Sequence, residues 1–324
     1  ATADIFQVIS HIQAKAGVTV IVVEHKMDYL IPFEPRLVIM EEGSIGYDGP
    51  FDRSRLARIP ANENSHKAHA SREPIVRMEA VDVGYNGQSV LRDISLQIGP
   101  GEFVAVMGDN GSGKTTLLQT MVGLLKPERG RVEVLGRETR GTPVSTLARE
   151  VGFVFQNPDH QLFAESVWQE ATFAPSNFGV LDDEIGDRVR DLLARCGLEG
   201  RLDDHPYRLS YGEKRRLNLV SVLAHSPRLI LLDEVLIGQD PRNAAFLLDL
   251  LQERVQQGDT VVMANHAPGV TARYASRLLF FNSGQARVDA SPQEGFQQLA
   301  ALGRDLYLPS GTPVGDPHPE GSQP

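Results

Sequence analysis

The amino-acid sequence predicts an α/β fold in which helices cover both faces of a mainly parallel sheet. Short apolar runs, each suited to a buried strand, alternate with helical patterns and occupy residues 103–107, 152–155, 229–232 and 260–263. A glycine-rich loop separates the first run from the helical pattern that follows it. Residues 164–225 have mainly helical spacing, which predicts a helical subdomain inserted between the strands.

The composition of the chain limits its function classes. Among 324 residues, 42 are acidic and 32 are basic, which gives a formal net charge of −10. This balance does not favour a nucleic-acid partner, because such partners attract basic surfaces. The apolar runs are far shorter than the roughly 18 residues that span a bilayer. A single cysteine, Cys196, excludes an internal disulfide, and its apolar helical position predicts a small buried side chain.

An internal repeat relates the two ends of the chain. Residues 3–16 carry a helical apolar stripe, and residues 18–23 predict a buried strand that ends at His25. A shift of 241 positions superposes this segment on residues 244–266 without a gap. The matched identical pairs are Gly17 and Gly258, Thr19 and Thr260, Val20 and Val261, His25 and His266, Arg36 and Arg277, Leu37 and Leu278, Gly43 and Gly284, and Asp48 and Asp289. A repeat of this length indicates a duplicated domain.

The repeat divides the chain into four predicted segments. Residues 1–57 are the carboxyl-terminal fragment of a first domain, and residues 74–308 are a complete second domain whose helical part spans about 164–225. Residues 58–73 are polar and predict a linker. Residues 309–324 are rich in proline, glycine and charge, which predicts a disordered tail. Because the chain begins inside a helical pattern, we expect that an upstream part is missing.

The glycine-rich loop of the complete domain has the G-x-x-x-x-G-K-T spacing of a phosphate-binding loop. Glycines let successive backbone amides turn toward phosphate groups, and the helix that follows adds positive dipole. Lys114 is expected to neutralise the β and γ phosphates of ATP, and the Thr115 hydroxyl to bind Mg²⁺. The predicted nucleotide-binding residues of this loop are Gly108, Asp109, Asn110, Gly111, Ser112, Gly113, Lys114, Thr115 and Thr116.

Two adjacent carboxylates follow the apolar run at 229–232. Neighbours on a strand point to opposite faces, so Asp233 and Glu234 can have different roles. Asp233 is expected to bind Mg²⁺ together with Thr115, and Glu234 to orient or deprotonate the attacking water. An acidic pair in this position is often only the start of a solvated loop, but the phosphate-binding loop upstream favours catalysis.

The order of the motifs resembles that of the ABC-type ATPases over residues 74–300. In chain order the matching motifs are the phosphate-binding loop, Gln156, residues 209–213 (Leu-Ser-Tyr-Gly-Glu), Asp233 with Glu234, Asp240 and His266. The resemblance implies a P-loop NTPase fold, with a mainly parallel core, an antiparallel β portion near the start of the cassette and the inserted helical subdomain. It also implies binding and hydrolysis of ATP with Mg²⁺.

The same resemblance implies roles for other residues. Gln156 would reach Mg²⁺ and the attacking water, and His266 would hydrogen-bond the γ-phosphate as part of the catalytic set with Lys114 and Glu234. Tyr85 would stack on adenine. The nucleotide-binding set further includes Ser210, Gly212 and Asp240. Of these, Ser210 and Gly212 would reach the γ-phosphate held by a second cassette.

Two segments depart from the family's pattern. Relatives usually carry glycine and glutamine where Tyr211 and Glu213 stand. Glu213 keeps a capping-box pattern with Ser210, so this segment predicts both a well-capped helix and an anion site. After Glu234, residues 235–239 read Val-Leu-Ile-Gly-Gln, where relatives commonly show Pro-Thr-Ala-Gly-Leu.

Residues 155–163 and 173–179 resemble the ATPases of energy-coupling-factor (ECF/CbiO-type) importers for vitamins and metal ions. This implies that hydrolysis drives import through membrane-spanning subunits, with the chain peripheral on the cytoplasmic face of the cell membrane. The partner cassette is expected to be a second copy, a different chain or a missing amino-terminal half. The alternatives are a soluble ABC ATPase that acts on ribosomes or DNA and a non-hydrolysing regulatory subunit that binds nucleotide.

Overall fold

The computed structural model describes most of the chain. The described residues are 2–23, 30, 33–41, 43–52, 73–85 and 87–309. His25, nearly all of the predicted linker and the predicted tail beyond residue 309 lie outside them. The chain divides into two compact units, which comprise residues 1–60 with 240–243 and residues 61–239 with 244–324.

The first unit contains a helix and a β-hairpin. Helix α1 spans Thr2–Ala16, where the apolar stripe predicts it, and is followed by Gly17 with a positive φ of 62°. Glycine adopts this left-handed conformation without a steric penalty, which explains why the helix ends there. The hairpin consists of β1 (Leu37–Glu41) and β2 (Ser44–Gly49).

The predicted buried strand at residues 18–23 is wrong. This segment is not a strand, and Ile21 and Val23 are 86% and 90% exposed. The matching segment of the second unit, Thr260–Ala264, is buried and pairs with a parallel strand on each side. The described residues of the first unit provide no such neighbours, and an apolar sequence needs them to form a buried strand.

The described residues of the second unit form two sheets. Its strands are β3 (Val76–Tyr85), β4 (Gln88–Ile98), β5 (Phe103–Gly108), β6 (Arg129–Val134), β7 (Arg137–Glu138), β8 (Val151–Val154), β9 (Leu229–Asp233), β10 (Thr260–Ala264), β11 (Arg277–Asn282) and β12 (Gln285–Ala290). The larger sheet has the order β12-β11-β5-β10-β9-β8 and is parallel except for β12. The smaller sheet, β4-β3-β6-β7, is antiparallel. The predicted α/β fold is therefore confirmed.

The last hairpin of the second unit has the same register as the hairpin of the first. With the shift of 241, each Cα partner in β1 and β2 matches one in β11 and β12, including the position of the irregularity. Arg36 contacts Asp48 through two bonds of 2.6 Å, and Arg277 contacts Asp289 through bonds of 2.6 and 2.7 Å. The internal repeat is therefore structural as well as sequential over this hairpin.

Helices cover the parallel sheet and form the insertion. Those of the second unit and its boundary are α2 (Lys114–Met121), α3 (Val144–Leu147), α4 (Val167–Asn177), α5 (Asp183–Arg195), α6 (Tyr211–Leu223), α7 (Pro241–Gln256), α8 (Pro268–Tyr274) and α9 (Pro292–Ala301). The helices α4, α5 and α6 occupy the predicted helical region and pack on one another. In the described part of the chain, no helix combines the length and apolarity that a bilayer crossing requires.

Burial in the second unit follows the predicted pattern. Strands β5, β8, β9 and β10 are buried along their whole length, as expected for a sheet covered on both faces. Cys196 is 3% exposed and follows α5, which agrees with its predicted structural role. Burial raises the pKa of its thiol to about 12, so the thiol stays protonated at neutral pH.

Candidate active site

The strand order brings four sequence motifs to one edge of the sheet. Ala264, at the end of β10, pairs with Val106 of β5 on one side and with Asp233 of β9 on the other. The phosphate-binding loop follows β5, His266 follows β10, and Gln156 follows β8, the neighbour of β9. The carboxyl ends of parallel strands are where open α/β sheets bind their ligands.

The phosphate-binding loop closes around the ammonium group of Lys114. This Nζ donates to the carbonyl oxygens of Gly108 at 3.0 Å and Asp109 at 3.1 Å. Gly108 has a φ of 147°, and a Cβ there would lie 2.2 Å from the carbonyl oxygen of Phe281 on β11. Only glycine fits at this position, because both the conformation and the close approach exclude a side chain.

The charged side chain of Lys114 is buried, since only 5% of it is exposed to solvent. Burial lowers its pKa, whereas the carboxylates of Glu234, Asp233 and Asp109 act in the opposite direction. A cation in such a site attracts phosphate more strongly than one in water. Of the other predicted loop residues, Ser112, Gly113 and Thr116 are buried, and Asn110 and Gly111 are exposed.

Thr115 and Asp233 meet as the sequence predicts. The Thr115 hydroxyl donates to Asp233 Oδ2 at 2.8 Å. Asp233 Oδ1 is buried and makes no hydrogen bond within the described part of the chain, and burial raises the pKa of this carboxyl. A hard cation such as Mg²⁺ fits this pair of oxygen donors. Among the described residues, no group of three or more histidine, cysteine, aspartate or glutamate side chains could hold a metal alone.

Glu234 is held by three predicted site residues. Gln156 Nε2 donates to Glu234 Oε2 at 2.9 Å, and His266 Nε2 lies 2.8 Å from Oε1. Lys114 Nζ is 3.9 Å from the same Oε1. The hydrogen bond with His266, followed by the charges of His266 and Lys114 and the bond from Gln156, lowers the pKa of Glu234 against the opposing effect of burial. The carboxylate is therefore ionised and can accept a proton.

The backbone also contributes to the position of Glu234. Its φ is 52°, in the left-handed region that a glutamate rarely adopts. The Glu234 amide donates to the carbonyl oxygen of Ala264 at 3.1 Å. Such conformations cost about 1–3 kcal/mol and persist where the surrounding structure requires them, often at active sites.

The segment around Ser210 begins helix α6. Ser210 Oγ accepts from the Glu213 amide at 3.3 Å, and Glu213 Oε2 accepts from the Ser210 amide at 2.8 Å. This is the predicted capping box, so Glu213 performs the capping role expected from the sequence. Ser210 and Gly212 lie at the positive end of the helix dipole, which is suited to an anion.

The two unusual segments contact each other, which the sequence did not predict. Gln239 Nε2 donates to the Gly212 carbonyl oxygen at 3.2 Å. Tyr211 lies against Gly238, where a Cβ would be 2.7 Å from the Tyr211 Cδ1 atom. Arg215 donates to the Tyr211 hydroxyl at 2.8 Å. Two of the departures, Tyr211 and Gln239, therefore each contact the other unusual segment.

Two further predicted residues have defined places without a visible role in catalysis. Tyr85 ends β3, is 44% exposed, and its hydroxyl donates to Gln119 Oε1 at 3.3 Å. The Asp240 carboxylate accepts from the amides of Arg242 and Asn243 at 2.9 and 3.0 Å at the start of α7. An exposed ring can stack on adenine, but this role of Tyr85 stays a prediction, as does nucleotide binding by Asp240.

Sequence reasoning also missed two residues beside the phosphate-binding loop. Tyr307 and Arg304 both contact the side chain of Asp109. They stand close to the predicted disordered tail and belong to no recognised motif. Only the three-dimensional arrangement shows that they reach the loop.

The fold and these contacts place the chain in the P-loop NTPase fold class. Within that class, the sequence profile of the ABC transporter family matches residues 91–236. A protein of Methanothermobacter marburgensis described as an ABC transporter ATP-binding protein is 35% identical over 260 residues, which cover 75% of this chain and 94% of that protein. The chain belongs to the ABC transporter ATP-binding family, which confirms the predicted resemblance to this family.

Two other comparisons concern importers and transporter complexes. The HMP/thiamine import ATP-binding protein YkoD of Bacillus subtilis is 28% identical over 328 residues, which cover 90% of this chain and 59% of YkoD. The solved structure of cbiO1 from Clostridium perfringens, part of the ABC transporter complex cbiONQ, is 31% identical with a TM-score of 0.62. The matched region covers 73% of this chain and 98% of the cbiO1 chain. The chain spans about half the length of several curated relatives that it matches.

Proposed function

We propose that residues 74–308 bind and hydrolyse ATP as the motor of an importer, with Glu234 as the general base. The observation that carries this proposal is the position of the Glu234 carboxylate, 2.9 Å from Gln156, 2.8 Å from His266 and 3.9 Å from Lys114. An ionised carboxylate beside a phosphate-binding lysine can accept a proton from water that attacks the γ-phosphate.

Each group in the site has a defined task in this mechanism. Lys114 and the loop amides bind the β and γ phosphates and reduce their negative charge. Glu234 orients the attacking water and accepts its proton, and Gln156 and His266 keep the carboxylate in place. His266 can also give up its contact with Glu234 and donate a hydrogen bond to the γ-phosphate. Phosphoryl transfer to water needs mainly such positioning and charge stabilisation.

Thr115 and Asp233 would hold the Mg²⁺ that accompanies ATP, and Gln156 is a third candidate ligand. The buried Asp233 Oδ1 and the neighbouring Thr115 hydroxyl are the donors that the structure offers. When bound, the ion would neutralise charge on the β and γ phosphates. Asp233 has the further task of orienting the Thr115 hydroxyl, because the two groups are hydrogen-bonded.

The proposed assembly contains two cassettes. Ser210 and Gly212 stand at a capped helix start, a suitable site for the γ-phosphate held by a second cassette. The partner would be a second copy, a different chain or another part of a longer protein. Support for the last possibility comes from the first unit, whose hairpin repeats the register and the ion pair of the last hairpin of the second. We infer that residues 1–57 derive from another cassette.

Import through an ECF-type complex is the finer part of the proposal. The sequence at 155–163 and 173–179 resembles ECF ATPases, and the relatives include an HMP/thiamine import protein and a member of the cbiONQ complex. Membrane-spanning subunits would select the solute, and the chain would bind them from the cytoplasmic face of the cell membrane. Closure of the two cassettes on ATP and their release after hydrolysis would then move those subunits.

Nucleotide titration and phosphate release with the full chain test this function. The wild type should bind a fluorescent ATP analogue and release phosphate. The rate per molecule should rise with protein concentration if the two cassettes are supplied by two chains. Lys114→Ala should weaken nucleotide affinity by at least about tenfold, because the substitution removes a buried positive charge. Lys15→Ala, on the exposed face of α1, is the matched control and should behave as wild type. A wild-type chain without nucleotide binding would refute the proposal, and binding without turnover at any concentration would favour a regulatory subunit.

A further inference from the structure

The segment after helix α9 contacts the phosphate-binding loop. The Tyr307 hydroxyl donates to Asp109 Oδ1 at 2.6 Å, and Arg304 Nη1 lies 3.4 Å from Asp109 Oδ2. We call Arg304 and Tyr307 the clasp. Arg304 and Tyr307 thus bind the two oxygens of the Asp109 carboxylate within the phosphate-binding loop.

The clasp rests on the strand beside the loop. The Tyr307 ring meets the ring of Phe280 edge to face, with centroids 4.9 Å apart, and the Arg304 guanidinium lies 6.0 Å from the same ring. Phe280 is 1% exposed and belongs to β11, which pairs with β5, the strand that leads into the loop. Leu308 packs on the same apolar cluster. Tyr307 and Arg304 are therefore positioned by packing as well as by their bonds to Asp109.

Asp109 has two opposed effects on the loop. Its carbonyl oxygen accepts from Lys114 Nζ, so the residue is part of the ring that surrounds the ammonium group. Its carboxylate, however, adds a negative charge next to the place where a triphosphate would bind. With half of this side chain exposed, water screens that charge only in part. A cation and a hydroxyl donor on the carboxylate would reduce its repulsion of phosphate.

We propose that Arg304 and Tyr307 are positioning residues that neutralise and orient Asp109, so that the clasp sets the affinity of the loop for nucleotide. This inference rests on the proposed function, because it assumes that the loop binds ATP. Neither residue touches the phosphates. Both act through Asp109, and their influence should disappear when Asp109 has no charge.

A double-mutant cycle tests the clasp in the full chain, with a fluorescent ATP analogue and Mg²⁺ as the probe. Tyr307→Phe and Arg304→Gln should each raise Kd by about three- to tenfold, the range of a charge-assisted hydrogen bond at a half-exposed site. In an Asp109→Asn background the same changes should alter Kd by less than about twofold. The effect of Arg304→Gln should also shrink with added salt. In turnover assays the change should fall on KM more than on kcat.

Controls separate positioning from folding. Leu306→Ala lies in the same segment at an 85% exposed side chain and should leave Kd and melting temperature unchanged. Tyr307→Phe keeps the ring on Phe280, so its melting temperature without nucleotide should stay close to that of the wild type. Unchanged Kd in both clasp variants, or an equal loss in the Asp109→Asn background, would overturn the inference alone. Absence of binding by the wild type would reject the inference together with the proposed function.

Discussion

The assignment of Glu234 as general base is most directly tested by Glu234→Gln, which changes charge with little change in shape. A positioned general base contributes about 10²–10⁴ in rate, which corresponds to about 2.7–5.5 kcal/mol. The glutamine oxygen can still accept from Gln156, and its amide can donate to an unprotonated His266 nitrogen. Lys114 keeps the two carbonyl oxygens that it contacts at 3.0 and 3.1 Å. The fold and the phosphate-binding loop should therefore stay intact.

The nucleotide affinity of Glu234→Gln should not fall with its rate. Removal of the Glu234 charge leaves the phosphates with less repulsion, so Kd for ATP should stay the same or decrease. Phosphate release at saturating ATP should fall by at least about 10²-fold. Glu234→Asp, which keeps the charge but shortens the side chain, is the informative control and should also be slow because it loses both hydrogen bonds. Turnover of Glu234→Gln within about threefold of wild type would show that another group accepts the proton.

Three further predictions concern pH and packing. His266→Ala should move the acidic limb of the pH–rate profile to higher pH, because the bond with His266 is the largest cause of the lowered pKa of Glu234. Gly108→Ala should lower the free energy of unfolding by about 3 kcal/mol or more, while Gly111→Ala, whose φ of 76° is strained but whose surroundings are open, should cost about 1 kcal/mol in urea titrations. Burial lowers the pKa of His225 from 6.5 to about 4, so its contribution to stability is present above about pH 6.5 and falls as the pH drops toward 4. His225→Phe should flatten that part of the stability curve, and an unchanged slope would contradict this explanation.

The sequence predicted the local structure of the candidate site because the motifs of this site are local. The spacing from Gly108 to Thr115 alone specifies a loop that closes on Lys114, and acids at the end of a buried strand stand at the edge where sheets bind ligands. The capping box joins Ser210 to Glu213, three residues further along the chain, and needs no distant partner. These features form as expected because their geometry is determined within about ten residues.

The failed prediction at residues 18–23 has a different physical origin. Its sequence is as apolar as that of β10, yet β10 is a strand because β5 and β9 bind its backbone on both sides. Neighbouring elements also account for the difference between the arginines of the two hairpins. Arg277 has Asp289 and also the Gln97 carbonyl oxygen and Glu102 as partners, whereas Arg36 remains 74% exposed beside Asp48. Periodicity identifies a potential strand, but neighbours decide whether it forms.

The unusual residues of the site are best understood as a set. Tyr211 stands where relatives carry glycine, and its ring occupies the space that the absence of a side chain leaves at Gly238. Its hydroxyl accepts from Arg215, a side chain that is 2% exposed and needs polar partners. Gln239 stands where relatives carry leucine, and its amide donates to the Gly212 carbonyl oxygen. Reversal of Tyr211 to glycine would therefore leave the buried Arg215 without the hydroxyl to which it donates, and reversal of Gln239 to leucine would leave the Gly212 carbonyl oxygen without this side-chain donor.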